Sequence, residues 1–215
     1  MDRRIALKNL GLSLGYIVAT PTLISLVQSC KEQNIATWTP VFLSKEEGDV
    51  LSKLVDIILP KTDTPSASEV NVHVFIDTYA KEIMEEKDQN FFKMAMNKFT
   101  DKALKDADKE KLDDLTSEDL ESVLASALKV TKEDQIKNFK LINSYHQAVT
   151  AGEAAELDAG VSRFAFANNL RGLTIWAFKS SEYIAEEVLA YLPIPGEYIG
   201  CADVQELTGG KAWAI

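Results

Sequence analysis

Histidine and cysteine are scarce in this 215-residue chain, at two of each. No Cys-x-x-Cys, His-Glu-x-x-His or Glu-x-x-His occurs, so the usual metal-ligand spacings are missing. The absence of Cys-x-x-Cys-His removes covalent c-type haem. No Gly-x-Gly-x-x-Gly follows a strand-like run, which removes the dinucleotide fingerprint. Positive charge is in deficit: 23 Lys and Arg face 33 Asp and Glu, for a net charge of −10. Such a surface repels phosphate backbones, so no nucleic-acid partner is expected. Internal repeats and low-complexity tracts are absent, and the period-two alternation of half-buried strands is almost so.

What is present begins with Arg3-Arg4, followed by Leu7-Lys8 and an apolar stretch from Asn9 to Val27. A basic segment, a moderately apolar segment and a small residue before a cut are the parts of an export signal. Paired arginines address the twin-arginine (Tat) route, which carries folded cargo. Ala6 stands where the pattern prefers a larger apolar residue. Val27-Gln-Ser-Cys30 resembles a bacterial lipobox, with Gln28 as its unusual member, and makes Cys30 the lipidation candidate. The plainer alternative is a single membrane anchor, since about 20 apolar residues span a bilayer. Pro21, two glycines and several hydroxyl residues weaken that span.

Residues 1–29 are therefore expected to be a signal helix, 30–43 a tether and 44–215 one helical domain. Ser44 to Glu47 forms a capping box, and Val50, Leu51, Leu54, Val55, Ile58 and Leu59 follow on one face. Pro60 stops that helix. After the loop 60–67, a second helix is expected from Ala67–Ser68, carrying Val72, Phe75, Ile76, Tyr79, Ile83 and Met84 inward. Asp88–Leu104 and Ser117–Lys129 read as two more helices, and the charged segment between them is expected to be exposed. Thr131–Asp134 caps a helix running to about Ala148. The apolar stretch Ser162–Leu192 reads as two helices broken near Lys179–Ser181. Residues 193–215, rich in proline and glycine, are expected to form an extended arm. The fold class is all-α.

Candidates for chemistry are few. His73 and His146 each sit within an amphipathic helix, where a surface or cap imidazole making one hydrogen bond is the usual role. Asp77, four residues on from His73, is placed to orient it. The acidic pairs along the chain read as solvated helix ends. The aromatic run Phe164, Phe166, Trp176, Phe178 and Tyr183 reads as core before cofactor box. Arg171 lies within that apolar stretch and needs a partner, either a buried ion pair or an interface contact. Cys201 is expected to be a buried thiol, or to pair with Cys30 if Cys30 is not acylated. No residue stands out as catalytic, cofactor-binding or metal-ligating. An exported helical domain so equipped reads as a binding or accessory protein.

Three stretches together resemble the subunit 3 (small subunit) family of membrane-associated gluconate 2-dehydrogenases. They are Arg3-Arg4-Ile-Ala-Leu-Lys8; Leu54–Pro60-Lys-Thr-Asp-Thr-Pro65-Ser-Ala67 with Val72–Asp77; and Pro195-Gly196-Glu-Tyr198-Ile-Gly200-Cys201. Where the family often has Pro-Gly-Ala in the loop, this chain has Pro65-Ser66-Ala67. A serine fits there if the turn needs no positive φ. The resemblance implies a non-catalytic subunit of a periplasmic, membrane-associated oxidoreductase. It implies a large flavin-dependent partner of the glucose-methanol-choline type, with FAD in that partner and a cytochrome c subunit as a further candidate. It also implies that the small subunit carries the export signal for both. The alternative is a stand-alone exported lipoprotein that binds a ligand or a cell-envelope partner. The expected contacts with a partner are Pro60, Thr62, Thr64 and Pro65 in the loop, Arg171, and Pro195, Gly196, Tyr198, Cys201 and Trp213 in the arm.

Overall fold

Side-chain caps set where most of the described helices begin. The computed structural model describes residues 38–192, 194, 196 and 201–214. The signal residues Arg3, Arg4, Leu7 and Lys8, the lipidation candidate Cys30, and Pro195 and Tyr198 lie outside them. Helix α1 spans Lys45–Ile58. Its capping box is complete, with Ser44 N donating to Glu47 Oε2 at 2.7 Å and Glu47 N to Ser44 Oγ at 3.2 Å. Val50, Leu51, Leu54 and Val55 are fully buried, as their spacing predicts.

Helix α2 spans Val72–Glu82 and begins later than the sequence suggests. The intervening residues form turns tied to α1: Ser68 N and Oγ donate to the Asp56 carboxylate at 2.7 and 2.6 Å. Asn71 then enters the helix with φ of 60°, the left-handed region that Asn tolerates. The inner stripe of α2 is Val72, Ile76, Asp77 and Ala80. Phe75 and Ile83 do not point inward, contrary to the sequence reading. Phe75 lies at the edge of the stripe, and Ile83 sits past the helix end as its C-cap.

Helix α3 spans Glu86–Asp106 and buries Phe92, Ala95, Met96, Phe99 and Ala103. A 3-10 turn at Leu112–Asp114 leads to α4, Ser117–Leu128, capped by Thr116 with Asp119. The linking segment is charged, yet Leu115 is buried there, and its carbonyl accepts from Lys53 Nζ at 2.7 Å. Helix α5 is Lys132–Thr150 and α6 is Ala159–Lys179.

Helix α6 packs against all five preceding helices. It can do so because Ala165, Ala167 and Ala177 let neighbouring backbones approach, while Phe164, Phe166 and Leu170 fill the spaces between them. The Phe166 ring lies 5.5 Å from Phe92 and 5.1 Å from Phe99. The break expected near Lys179–Ser181 is present, but only a short π-helical turn, Ile184–Val188, follows it. The arm contains one short helix, α7, Val204–Thr208, capped by Asp203. It then returns to its own domain: Ala190 N donates to the Ala212 carbonyl and Ala214 N to the Ala190 carbonyl, each at 2.9 Å. Among the described residues that isolated bridge is the only β pairing, and the fold is all-α.

Candidate functional site

An apolar concavity opens among these helices, between α3, α5 and α6. Its volume is about 340 Å³. Phe92 and Phe166 are buried in its floor, Phe91 and Phe139 line its sides, and Tyr79 and Met84 of the α2 region close one end. The space exists because α5 packs incompletely. No residue of α5 is fully buried, and Ile136, Phe139 and Leu141 remain exposed.

The polar groups at this cleft are few and close together. His146, on α5, lies tilted at 4.5 Å from the Phe91 ring, and its Nδ1 lies 4.0 Å from Asp88 Oδ1. That is beyond hydrogen-bond distance. Asn168 and Asn169 of α6 contribute amides. Beside the cleft, Phe75, Tyr79 and Trp176 form an aromatic ledge. The Trp176 ring stands edge-on to Phe75 at 5.1 Å and to Tyr79 at 5.6 Å. Phe75 and Trp176 are both exposed, and clustered exposed aromatics mark contact surfaces more strongly than scattered ones do.

The two histidines differ. His73 is half-buried, and desolvation pushes its pKa below the ordinary value while the nearby Asp56 carboxylate opposes that shift. The Asp77 carboxylate is engaged elsewhere. It accepts from the backbone N–H groups of Val41 at 2.6 Å, Phe42 at 3.2 Å and Leu43 at 2.9 Å. Asp77 is itself buried, so those donors replace the water its charge gives up. Its role is to fasten the segment before α1 onto α2. A signal for this existed in the sequence, since Asp77 is an acidic residue within the buried stripe of α2.

The loop candidates fold back on themselves. Pro60 and Thr62 are exposed, and Thr64 and Pro65 are partly covered. Thr62 N donates to the Thr64 carbonyl at 3.0 Å, Ala67 N to the Leu59 carbonyl at 3.1 Å and Ser66 N to Glu69 Oε2 at 2.9 Å. Ser66 has no positive φ, so serine is accommodated where glycine is common. Arg171 is exposed, with one guanidinium nitrogen donating to Asn168 Oδ1 at 2.9 Å. This excludes the buried ion pair. Cys201 is an exposed thiol, not a buried one. Gly196 is exposed with φ of 67°, a conformation that favours glycine. Trp213 is partly exposed beside the Ala190 pairing. Among the described residues, none from the loop or the arm lines the aromatic cleft, and neither does Arg171.

Among the described residues no group of three or more potential metal ligands occurs, and no helix is long and apolar enough to cross a membrane. The sequence profile of the family described as gluconate 2-dehydrogenase subunit 3 matches residues 45–196, from the first turn of α1 into the arm. No curated protein and no solved structure matches the chain. The chain belongs to the gluconate 2-dehydrogenase subunit 3 family.

Proposed function

We propose that this subunit 3 protein is a non-catalytic accessory subunit of a flavin-dependent dehydrogenase acting on a sugar or sugar acid. The observation that carries the proposal is the family match across nearly the whole helical body. In this reading the large partner holds FAD and performs the oxidation. The small chain binds that partner in the cytoplasm, and its Arg3-Arg4 signal takes both across the membrane folded. Cys30 then tethers the complex to the membrane. One acyl chain holds only marginally, so lasting attachment requires further acylation or a second contact. A cytochrome c subunit is a suitable electron acceptor for such a complex.

The exposed ledge of Phe75, Tyr79 and Trp176 supports the reading, because aromatic clusters of this kind anchor protein interfaces. The test is co-purification. The chain, purified from the cells that make it naturally, is expected to elute with a larger polypeptide showing flavin absorbance. Folded chain that elutes alone, with the flavoprotein well expressed, contradicts the proposal.

A second reading has one observation in its favour. The preformed cleft of about 340 Å³ has the size and lining of a small-molecule site, which suits a stand-alone exported lipoprotein that binds a ligand. That reading predicts ligand binding by the isolated chain and no partner.

A further inference from the structure

The cleft's lining is chemically one-sided. Its walls carry the rings of Tyr79, Phe91, Phe92, Phe139 and Phe166, and its one carboxylate is Asp88. Among the described residues that line it there is no lysine or arginine. Lys87, next to Asp88 in the chain, is paired with Glu85 at 2.9 Å and feels the Asp88 charge only as a weaker influence, and Arg171, which donates to Asn168 Oδ1, is not among the lining residues. His146 is too distant from Asp88 to satisfy it by a hydrogen bond. Aromatic faces carry negative potential, and a carboxylate beside them adds to it. The chain's net charge of −10 reinforces that field.

We propose that this cleft binds an organic cation, an alkylammonium or guanidinium group carried on an apolar stem. The stem lies against the Phe91 and Phe139 side walls, and the cation sits at the mouth, where Asp88 is part-exposed. The volume suits a single ring or a short aliphatic chain. An anionic ligand would meet Asp88 and the ring faces with the wrong sign. The same chemistry is available from two sources, a free ammonium compound or an arginine or lysine side chain of a partner protein. The cleft's chemistry does not depend on whether a flavoprotein binds.

The experiment is an NMR titration of the full chain with phenyltrimethylammonium and, separately, with its neutral isostere tert-butylbenzene. The cation is expected to bind about tenfold more tightly than the isostere, the range of a partly desolvated cation–π contact with a nearby carboxylate. Asp88→Asn is expected to cut that preference to less than about threefold, and Phe91→Ala to weaken the cation further. Asp88 lies in the exposed first turn of α3, so its variant is expected to fold, and circular dichroism checks this. Equal affinity for the two probes, binding of neither, or a preference unchanged in Asp88→Asn overturns the assignment. Repeating the titration on the co-purified complex separates the sources. A complex that no longer takes up phenyltrimethylammonium has a partner side chain in the cleft, and a complex that still binds it leaves the site to a free cation. A chain that prefers the cation yet never co-purifies with a flavoprotein refutes the accessory role alone.

Discussion

Helices α5 and α6 are almost equal in length, at 19 and 21 residues, yet the domain uses them in opposite ways. α6 is covered on nearly every side in its first half, where Val161, Ser162 and the run from Phe164 to Ala167 are all buried. α5 buries nothing fully, because charged and amide residues interrupt its apolar positions and leave only a narrow stripe. The first helix specifies the packing of its neighbours; the second rests against them. The cleft lies between the two, and so the place where packing is least complete is also the place where a ligand or partner can enter.

The contrast is sharpest in truncation experiments. Phe166→Ala is expected to cost about 3–5 kcal/mol, since it removes a ring packed against Phe92 and Phe99. Phe139→Ala on α5 is expected to cost less than about 1 kcal/mol. Denaturant unfolding of both variants measures the difference, and equal losses would erase the distinction between the helices. Asp77→Ala comes next, at about 2–4 kcal/mol, because three amides before α1 lose their acceptor. Asp77→Asn keeps one acceptor oxygen and should fall between that variant and wild type.

Hydrogen exchange extends the comparison without mutation. Amides of α5 are expected to exchange through local opening well before those of α6. Similar protection in the two helices would mean that α5 is held by contacts not seen here. The smallest expected effect concerns His73. Its folded-state pKa lies below 6.5, so the unfolded chain takes up a proton first as pH falls. Stability is therefore full above about pH 6.5 and declines as pH drops toward the lowered folded value. His73→Gln should flatten that slope between pH 7 and 5, and an unchanged slope would assign it to other groups.

Much of this architecture could be read from local signals. Ser44 with Glu47 and Thr131 with Asp134 announced two helix starts, because the hydroxyl of each pair satisfies an orphan amide of the first turn. The stripe from Val50 to Val55 was equally plain, since period and burial agree there. The start of α2 was not legible, because it depends on Asp56 reaching across to Ser68 from another helix. Leu115 looked exposed among charges, and its burial follows from tertiary packing that no window of sequence contains. The cleft was hidden for the same reason: Asp88, Phe91 and His146 come together only through the pairing of α3 with α5. Cys201 was expected to be buried and is exposed, and of the two alternatives for Arg171 the buried ion pair falls, because an apolar neighbourhood in sequence is not one in space. α6 turns Arg171, Ile175 and Trp176 outward within the same helix that buries Leu170 and Thr174.

The proposed function requires that Arg3-Arg4 form an export signal that serves a folded partner as well as this chain. The direct measurement is cell fractionation of a strain in which Arg3→Lys and Arg4→Lys are combined, with both proteins followed by immunoblotting and the flavoprotein by activity. The account predicts that both remain in the cytoplasm, with the flavoprotein folded and active there. A flavoprotein that still reaches the cell envelope, while the altered chain stays behind, would contradict it.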